Sequence, residues 1–322
     1  MRRAWLTILG SAAVLGVAPP AALAVAPDED GGGDRGPALG ALTLAAQGGI
    51  DLGGRRFVLE GQRVTVEGHA ARFVPGGEVT LEVSRPGGSR DATQVGVQRD
   101  GARGRFRTEF VARRTGVWRI RAAEAGGSEA EAALHAVDAH ARRGARALGV
   151  KLLQAGLRRL GYVTSTGGRF DGATARAVLA FRKTNGMRRR TAAGHVMLAK
   201  LFRGEGGFVV RYPRSGKHIE FDWSRQVLVL ARGGRTERIY HASSGKRATP
   251  TVFGTFSFYR KTPGTNRKGM VWANYFIRGY AIHGFRSVPA RPASHGCIRV
   301  PVPDAVSISR WISLGDRIHV YR

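Results

Sequence analysis

The chain has 322 residues, with 52 Lys and Arg against 23 Asp and Glu, a formal net charge of +29. That length predicts two or three domains. The charge favours a polyanionic partner, but the dispersed arginines form no basic stripe interleaved with stacking aromatics, which argues against nucleic acid. A single cysteine, Cys297, excludes an internal disulfide.

In chain order, Arg2-Arg3, the apolar run Ala4 to Val17 and Ala22-Leu23-Ala24 read as a secretory signal peptide over residues 1–24. The apolar run is too short, and too closely bounded by Pro19 and Pro20, for a transmembrane span. No cysteine adjoins the cleavage site, so neither a lipid anchor nor a transmembrane anchor is expected after cleavage. The protein is expected to be exported, to the cell wall or periplasmic space or into the medium. Residues 25–41, rich in Asp, Glu, Gly and Pro, read as a flexible tether.

Over residues 42–138 the apolar period becomes two: Val64/Val66, Val79/Leu81/Val83, Val95/Val97, Phe106/Phe110 and Trp118/Ile120. Turn signals such as Pro75-Gly76-Gly77 and Asp100-Gly101 separate these runs, which predicts an immunoglobulin-like β-sandwich. Trp118 is its expected core aromatic. His69, His135 and His140 read as structural or exposed, and the segment as a spacer. Over residues 142–203 the period turns helical. Val150, Leu153, Leu157 and Leu160 precede a Gly161-Tyr162 stop, Thr174 is the expected cap of a second helix, and Val196, Leu198 and Leu201 mark a third. Residues 207–322 return to strands, beginning at Phe208-Val209-Val210 and closing at Arg317 to Tyr321, with one helix over Asp304 to Trp311. The expected fold is therefore multidomain and mostly β: a sandwich, a small three-helix bundle and a β-rich C-terminal domain.

The chemistry concentrates in Ile282-His283-Gly284 and Ser294-His295-Gly296-Cys297-Ile298-Arg299. A thiol needs a neighbouring base to become a nucleophile. His283 reads as a strand end, and the loop with Pro289 and Pro292 must fold it back against Cys297. Glycine at 296 lets backbone N–H groups approach an oxyanion without a Cβ in the way. Acyl transfer then has Cys297 as nucleophile, His283 as base, and the amides of His295, Gly296 and Cys297 as oxyanion donors. Zinc ligation by His283, His295 and Cys297 has suitable ligand types, but no carboxylate or further histidine completes a recognisable spacing. No metal and no cofactor are expected. Papain-type peptidases place the cysteine well before the histidine, and here the order is reversed.

These residues resemble the L,D-transpeptidase (YkuD-like) family, whose signature is a histidine, a loop, then Ser/Thr-His-Gly-Cys-aliphatic-Arg/Asn. The match is met by His283, Ser294, His295, Gly296, Cys297, Ile298 and Arg299. Thr249-Pro250-Thr251 with Gly254-Thr255-Phe256 resembles the family's strand entry, with one extra residue before the glycine. The resemblance implies a β-rich catalytic domain, loop-packing and substrate-contacting roles for Ser294 and His295, and peptidoglycan stem peptides as substrate. Arg299 reads equally as a partner for a substrate carboxylate and as a brace for the loop. Trp272, Asn274 and Tyr275 read as pocket wall or as core. Gly284 stands where some members carry serine, so a backbone carbonyl is expected to orient His283. Upstream, Leu153-Gln154, Leu157, Leu160-Gly161-Tyr162, Phe170-Asp171, Thr174 and Phe181 resemble the peptidoglycan-binding domain 1 family. That resemblance implies glycan contact, though Arg182 replaces a usual Gln and Arg188-Arg189-Arg190 interrupts the pattern. Anionic wall polymers suit the +29 charge.

Overall fold

The structure, a computed structural model, describes residues 41–85 and 87–322. The expected signal peptide and all but the last residue of the tether lie outside the described residues. Ten strands come first: β1 (Thr43–Ala46), β2 (Ile50–Leu52), β3 (Arg55–Leu59), β4 (Arg63–Ala70), β5 (Glu78–Ser84), β6 (Arg90–Gly96), β7 (Gln98–Asp100), β8 (Arg103–Val111), β9 (Gly116–Glu124) and β10 (Glu129–Val137). They form two sheets, of order β1-β4-β8-β7 and β2-β3-β10-β9-β5-β6. Val64, Val66 and Phe106 of the first sheet and Val79, Leu81, Trp118, Ile120 and Leu134 of the second close one core. Burial alternates residue by residue along β4, as the period-two pattern requires. Trp118 is buried there, and its indole N–H donates to Arg114 O at 3.0 Å.

Three helices follow: α1 (Leu148–Arg159), α2 (Gly172–Thr184) and α3 (His195–Phe202). Gly161, at φ +87°, ends α1: its N–H bonds Arg158 O and the Tyr162 N–H bonds Leu157 O, closing the helix with a left-handed glycine. The cap of α2 differs from expectation. Asp171 is the N-cap, and its carboxylate accepts from both the amide and the hydroxyl of Thr174. Asp171 sits three residues earlier, in the extended conformation a cap needs, whereas Thr174 already lies in the first turn.

The C-terminal part holds β11 (Lys217–Asp222), β12 (Val227–Arg232), β13 (Arg235–His241), β14 (Gly254–Ser257), β15 (Arg260–Thr265), β16 (Val271–Ile277), β17 (Tyr280–Phe285), β18 (Ile298–Pro301), α4 (Val302–Trp311) and β19 (Arg317–Tyr321). Phe208-Val209-Val210 is not a strand, and Val209 is exposed. One sheet runs β13-β12-β11-β19-β14 and the other β15-β16-β17-β18. Ile219, Leu228 and Leu230 of the first meet Phe276, Ile282 and Ile298 of the second, with Ile308 of α4 among them. The other face of β12, Val227 and Val229, joins the core of the three helices, which also takes in Ile50, Phe57 and Leu59 of the sandwich. The uninterrupted apolar run Val227 to Ala231 has this cause: β12 is covered on both faces.

Candidate active site

His283 lies within β17, not at its end, and β17 pairs in parallel with β18 so that Ile282 faces Ile298 and His283 faces Arg299. Alternate residues share a face of a sheet. Cys297, immediately before β18, packs with Ala281, Ala273, Tyr275 and Met270. Ala281 and His283 stand on one face of β17, so thiol and imidazole come to the same side of the parallel pair. The connection between the two strands is residues 286–297. Parallel strands usually need a crossover of a dozen or more residues, most often a helix; here it is a loop with Pro289 and Pro292.

The imidazole of His283 is buried, and its Nδ1 lies 2.9 Å from Gly284 O. A carbonyl only accepts, so Nδ1 carries the hydrogen and Nε2 is left basic. Burial pushes the His283 pKa down, and the positive charge of Arg299 adds to this against the opposing Gly284 bond. Burial likewise pushes the Cys297 thiol above its ordinary value, offset in part by the Ala281 amide, Arg299 and Lys268. Its Sγ lies 3.6 Å from Gly279 O. At rest the thiol and the imidazole are thus both neutral, on one face of the parallel pair.

The loop before the thiol is pinned by small polar side chains. Ser294 Oγ donates to Cys297 O at 2.5 Å and accepts the Gly296 N–H at 3.1 Å. The Gly296 amide is therefore already engaged in the resting loop. Its glycine has a different cause: φ is +118°, and a Cβ there would stand 2.6 Å from the Tyr280 ring. Thr251 Oγ1 donates to Gly296 O at 2.6 Å and accepts Gly245 N at 2.8 Å, while Thr249 Oγ1 donates to Ser294 O at 2.9 Å. Ser244 O accepts both Ala293 N and Ser294 N, and the Ser243 and Arg299 backbones exchange two hydrogen bonds. His295 is exposed.

The three pocket-wall candidates separate. Tyr275 shares the Cys297 cluster, with the Arg260 guanidinium over its ring at 4.1 Å. Asn274 is buried on the other face, donating to Trp272 O and accepting from Ser309 Oγ of α4 at 2.9 Å. Trp272, at φ +51° where the β16–β17 register shifts, packs with the core around α4. Trp272 and Asn274 thus stand on the face opposite Ala273 and Tyr275, turned away from the thiol by the pleat. Arg299 lies over the Phe285 ring at 4.1 Å and reaches Ala293 O only at 3.5 Å. Its buried Nε has no partner among the described residues. A Cβ at Gly284 would stand 2.8 Å from Ala305 Cβ, so α4 approaches β17 too closely for a serine there. Among the described residues no three His, Cys, Asp or Glu side chains gather as a metal-ligand set.

Tyr280, Ser243 and Ser244 escaped sequence reasoning. Tyr280 acts through a contact with a glycine backbone, and the serines act mostly through main-chain atoms, so none carries a local pattern.

The L,D-transpeptidase catalytic domain matches residues 216–320. A crystal structure of the L,D-transpeptidase from Xylanimonas cellulosilytica is similar at 32 % identity and a TM-score of 0.53, over 57 % of this chain and 98 % of that one. The L,D-transpeptidase from Stackebrandtia nassauensis has 19 % identity and a TM-score of 0.37, over 57 % and 95 %. That from Mycobacterium tuberculosis has 10 % identity and a TM-score of 0.31, over 88 % and 98 %. No curated protein matches the chain.

Proposed function

This chain belongs to the L,D-transpeptidase family, and from that premise we propose that it is an exported enzyme forming 3→3 crosslinks in peptidoglycan through a cysteine thioester. Cys297 Sγ attacks the carbonyl of the L-centred third residue of a tetrapeptide stem. His283 Nε2 takes the thiol proton as the C–S bond forms, then gives it to the departing D-alanine amine as the C–N bond breaks. The side-chain amine of a second stem next attacks the thioester. His283 relays its proton back to sulfur as the C–S bond breaks and the crosslinking amide forms.

The observation that carries this reading is the parallel β17–β18 pair, which brings a buried neutral imidazole and the sole thiol to one face. A neutral base ready to accept a proton at the moment of attack is what general-base catalysis needs. With the Gly296 amide engaged, the oxyanion donors in this proposal are the amides of His295 and Cys297. The half-satisfied Arg299 guanidinium supports a role in holding a substrate carboxylate. The resemblance of residues 142–203 to a peptidoglycan-binding domain supports glycan contact by the helices.

Purified protein incubated with disaccharide-tetrapeptides is expected to release D-alanine and give 3→3 dimers by mass spectrometry. Cys297→Ala is expected to abolish release, and His283→Ala to lower kcat/KM about 10²- to 10⁴-fold, each with unchanged far-UV circular dichroism. Release without dimers marks water as the acceptor, an L,D-carboxypeptidase. Full turnover by folded Cys297→Ala overturns the mechanism.

A further inference from the structure

The crossover between β17 and β18 carries the active-site loop but has no helix of its own to stiffen it. Its carbonyls are held from outside. Val288 O accepts from His241 Nε2 at 2.8 Å, Ala290 O from Arg189 Nη1 at 2.8 Å, and Arg291 O from Ser243 Oγ at 2.7 Å. Two of these three anchors depend on the helical segment. Arg189, just beyond α2, spans with its fork from Ala290 O to Ser224 O, the second bond also at 2.8 Å.

The His241 ring is fixed by Lys183, in the last turn of α2. Lys183 Nζ lies 2.7 Å from His241 Nδ1, 3.0 Å from Gln226 O and 2.8 Å from Ala242 O. Since His241 Nε2 must donate to the Val288 carbonyl, a neutral His241 presents a bare Nδ1 to the lysine. Three acceptors therefore converge on Lys183 Nζ. Lys183 is only 2 % exposed and, among the described residues, has no carboxylate against it. The charged groups that bear on this pair are cationic: Arg189 on both, and Arg176 of α2 on His241. Burial pushes the lysine pKa down to about 6, and burying such a polar group is unfavourable for stability alone. A methionine would fill the space more cheaply, so the polar nitrogen is explained by what it holds. Gln226 and Ala242 flank Ser244 and Ser243, the residues that fix the other half of the loop.

We infer that Lys183 and Arg189 are positioning residues for acyl transfer: α2 and the turn after it clamp the crossover and so set where Cys297 stands against His283. This rests on the acyl-transfer reading, and it gives the helical segment a part in catalysis separate from any contact with glycan.

The test uses full-length protein carrying Arg189→Gln, Arg189→Lys, Lys183→Met or Arg190→Gln, the last a control that removes the same charge nearby. Two measurements are made: hydrogen exchange of the amides of residues 286–293, and the kinetics of D-alanine release, which give kcat and KM. Arg189→Gln is expected to speed loop exchange about tenfold with the melting temperature unchanged. It should lower kcat by roughly tenfold to a hundredfold, the scale of a small misplacement of reacting groups, while KM stays within about twofold. Arg189→Lys should recover part of kcat, and Arg190→Gln should match the wild type. Wild-type exchange and kcat in Arg189→Gln overturn the inference. So does a loss that follows global unfolding. If Lys183→Met does not fold, Arg189→Gln decides alone. If the wild type releases no D-alanine, the acyl-transfer reading fails, and loop exchange still judges the clamp.

Discussion

Burial sets the protonation state in which Cys297 waits. The thiol is pushed above its ordinary value and the imidazole below its own, both chiefly by desolvation. The thiolate–imidazolium pair is therefore not the resting form at neutral pH, and in the proposed acyl transfer the proton moves as the carbonyl is attacked. With a raised thiol pKa, the thiolate fraction keeps growing with pH up to and beyond the usual thiol range. Alkylation of Cys297 by iodoacetamide is expected to rise about tenfold per pH unit between pH 6 and 8, with no plateau there. A preformed ion pair would give a plateau across that interval, and observing one overturns this assignment. The proposed nucleophile was legible because it is the sole cysteine, in a dense motif. The role of Gly296 was legible only in part. Glycine is required there, but by a left-handed φ and the Tyr280 ring, neither of which a linear pattern displays.

At the level of elements, the hydroxyls of Thr249 and Thr251 join segments that lie far apart in the chain. Thr251 holds Gly296 O and Gly245 N at once, in a site 2 % exposed. Thr251→Val keeps the shape but strands a buried donor and a buried acceptor. The expected loss of stability is about 1–3 kcal/mol, read by urea denaturation, together with a fall in kcat as the loop loosens. Unchanged stability and turnover would show that water replaces the hydroxyl without cost. The helices and most strands could be read from period and turn residues. β15 and β18 could not, because Arg260–Thr265 has no apolar alternation and Ile298–Pro301 is only four residues inside the motif. Asp171 displaced Thr174 as the cap because both residues suit that position, and only the backbone decides. Val271 shows the same limit: alternation would set it with Ala273 and Tyr275, yet it packs in the other core, because the register shifts there and no sequence period records a bulge.

For the molecule as a whole, a +29 charge carried mostly on dispersed arginines gives long-range attraction to anionic polymers without a shaped site. Retention on insoluble cell wall is expected to weaken as salt rises from 50 to 500 mM, because screening shortens the reach of each charge to a few ångströms. Retention unaffected by salt would point instead to a specific glycan contact. The run Val227 to Ala231 carried a message about architecture, because an unbroken apolar strand implies cover on both faces. Its cover is the helical core, which also reaches Ile50, Phe57 and Leu59 near the start of the described chain and Tyr321 at its end. That continuity bears on how such chains can be recombined. A foreign helical cassette spliced between residues 142 and 203 would have to match apolar surfaces on two sides at once. Where it failed, Val227, Val229 and Ile239 would face water, so the three segments are expected to be inherited together, not exchanged singly.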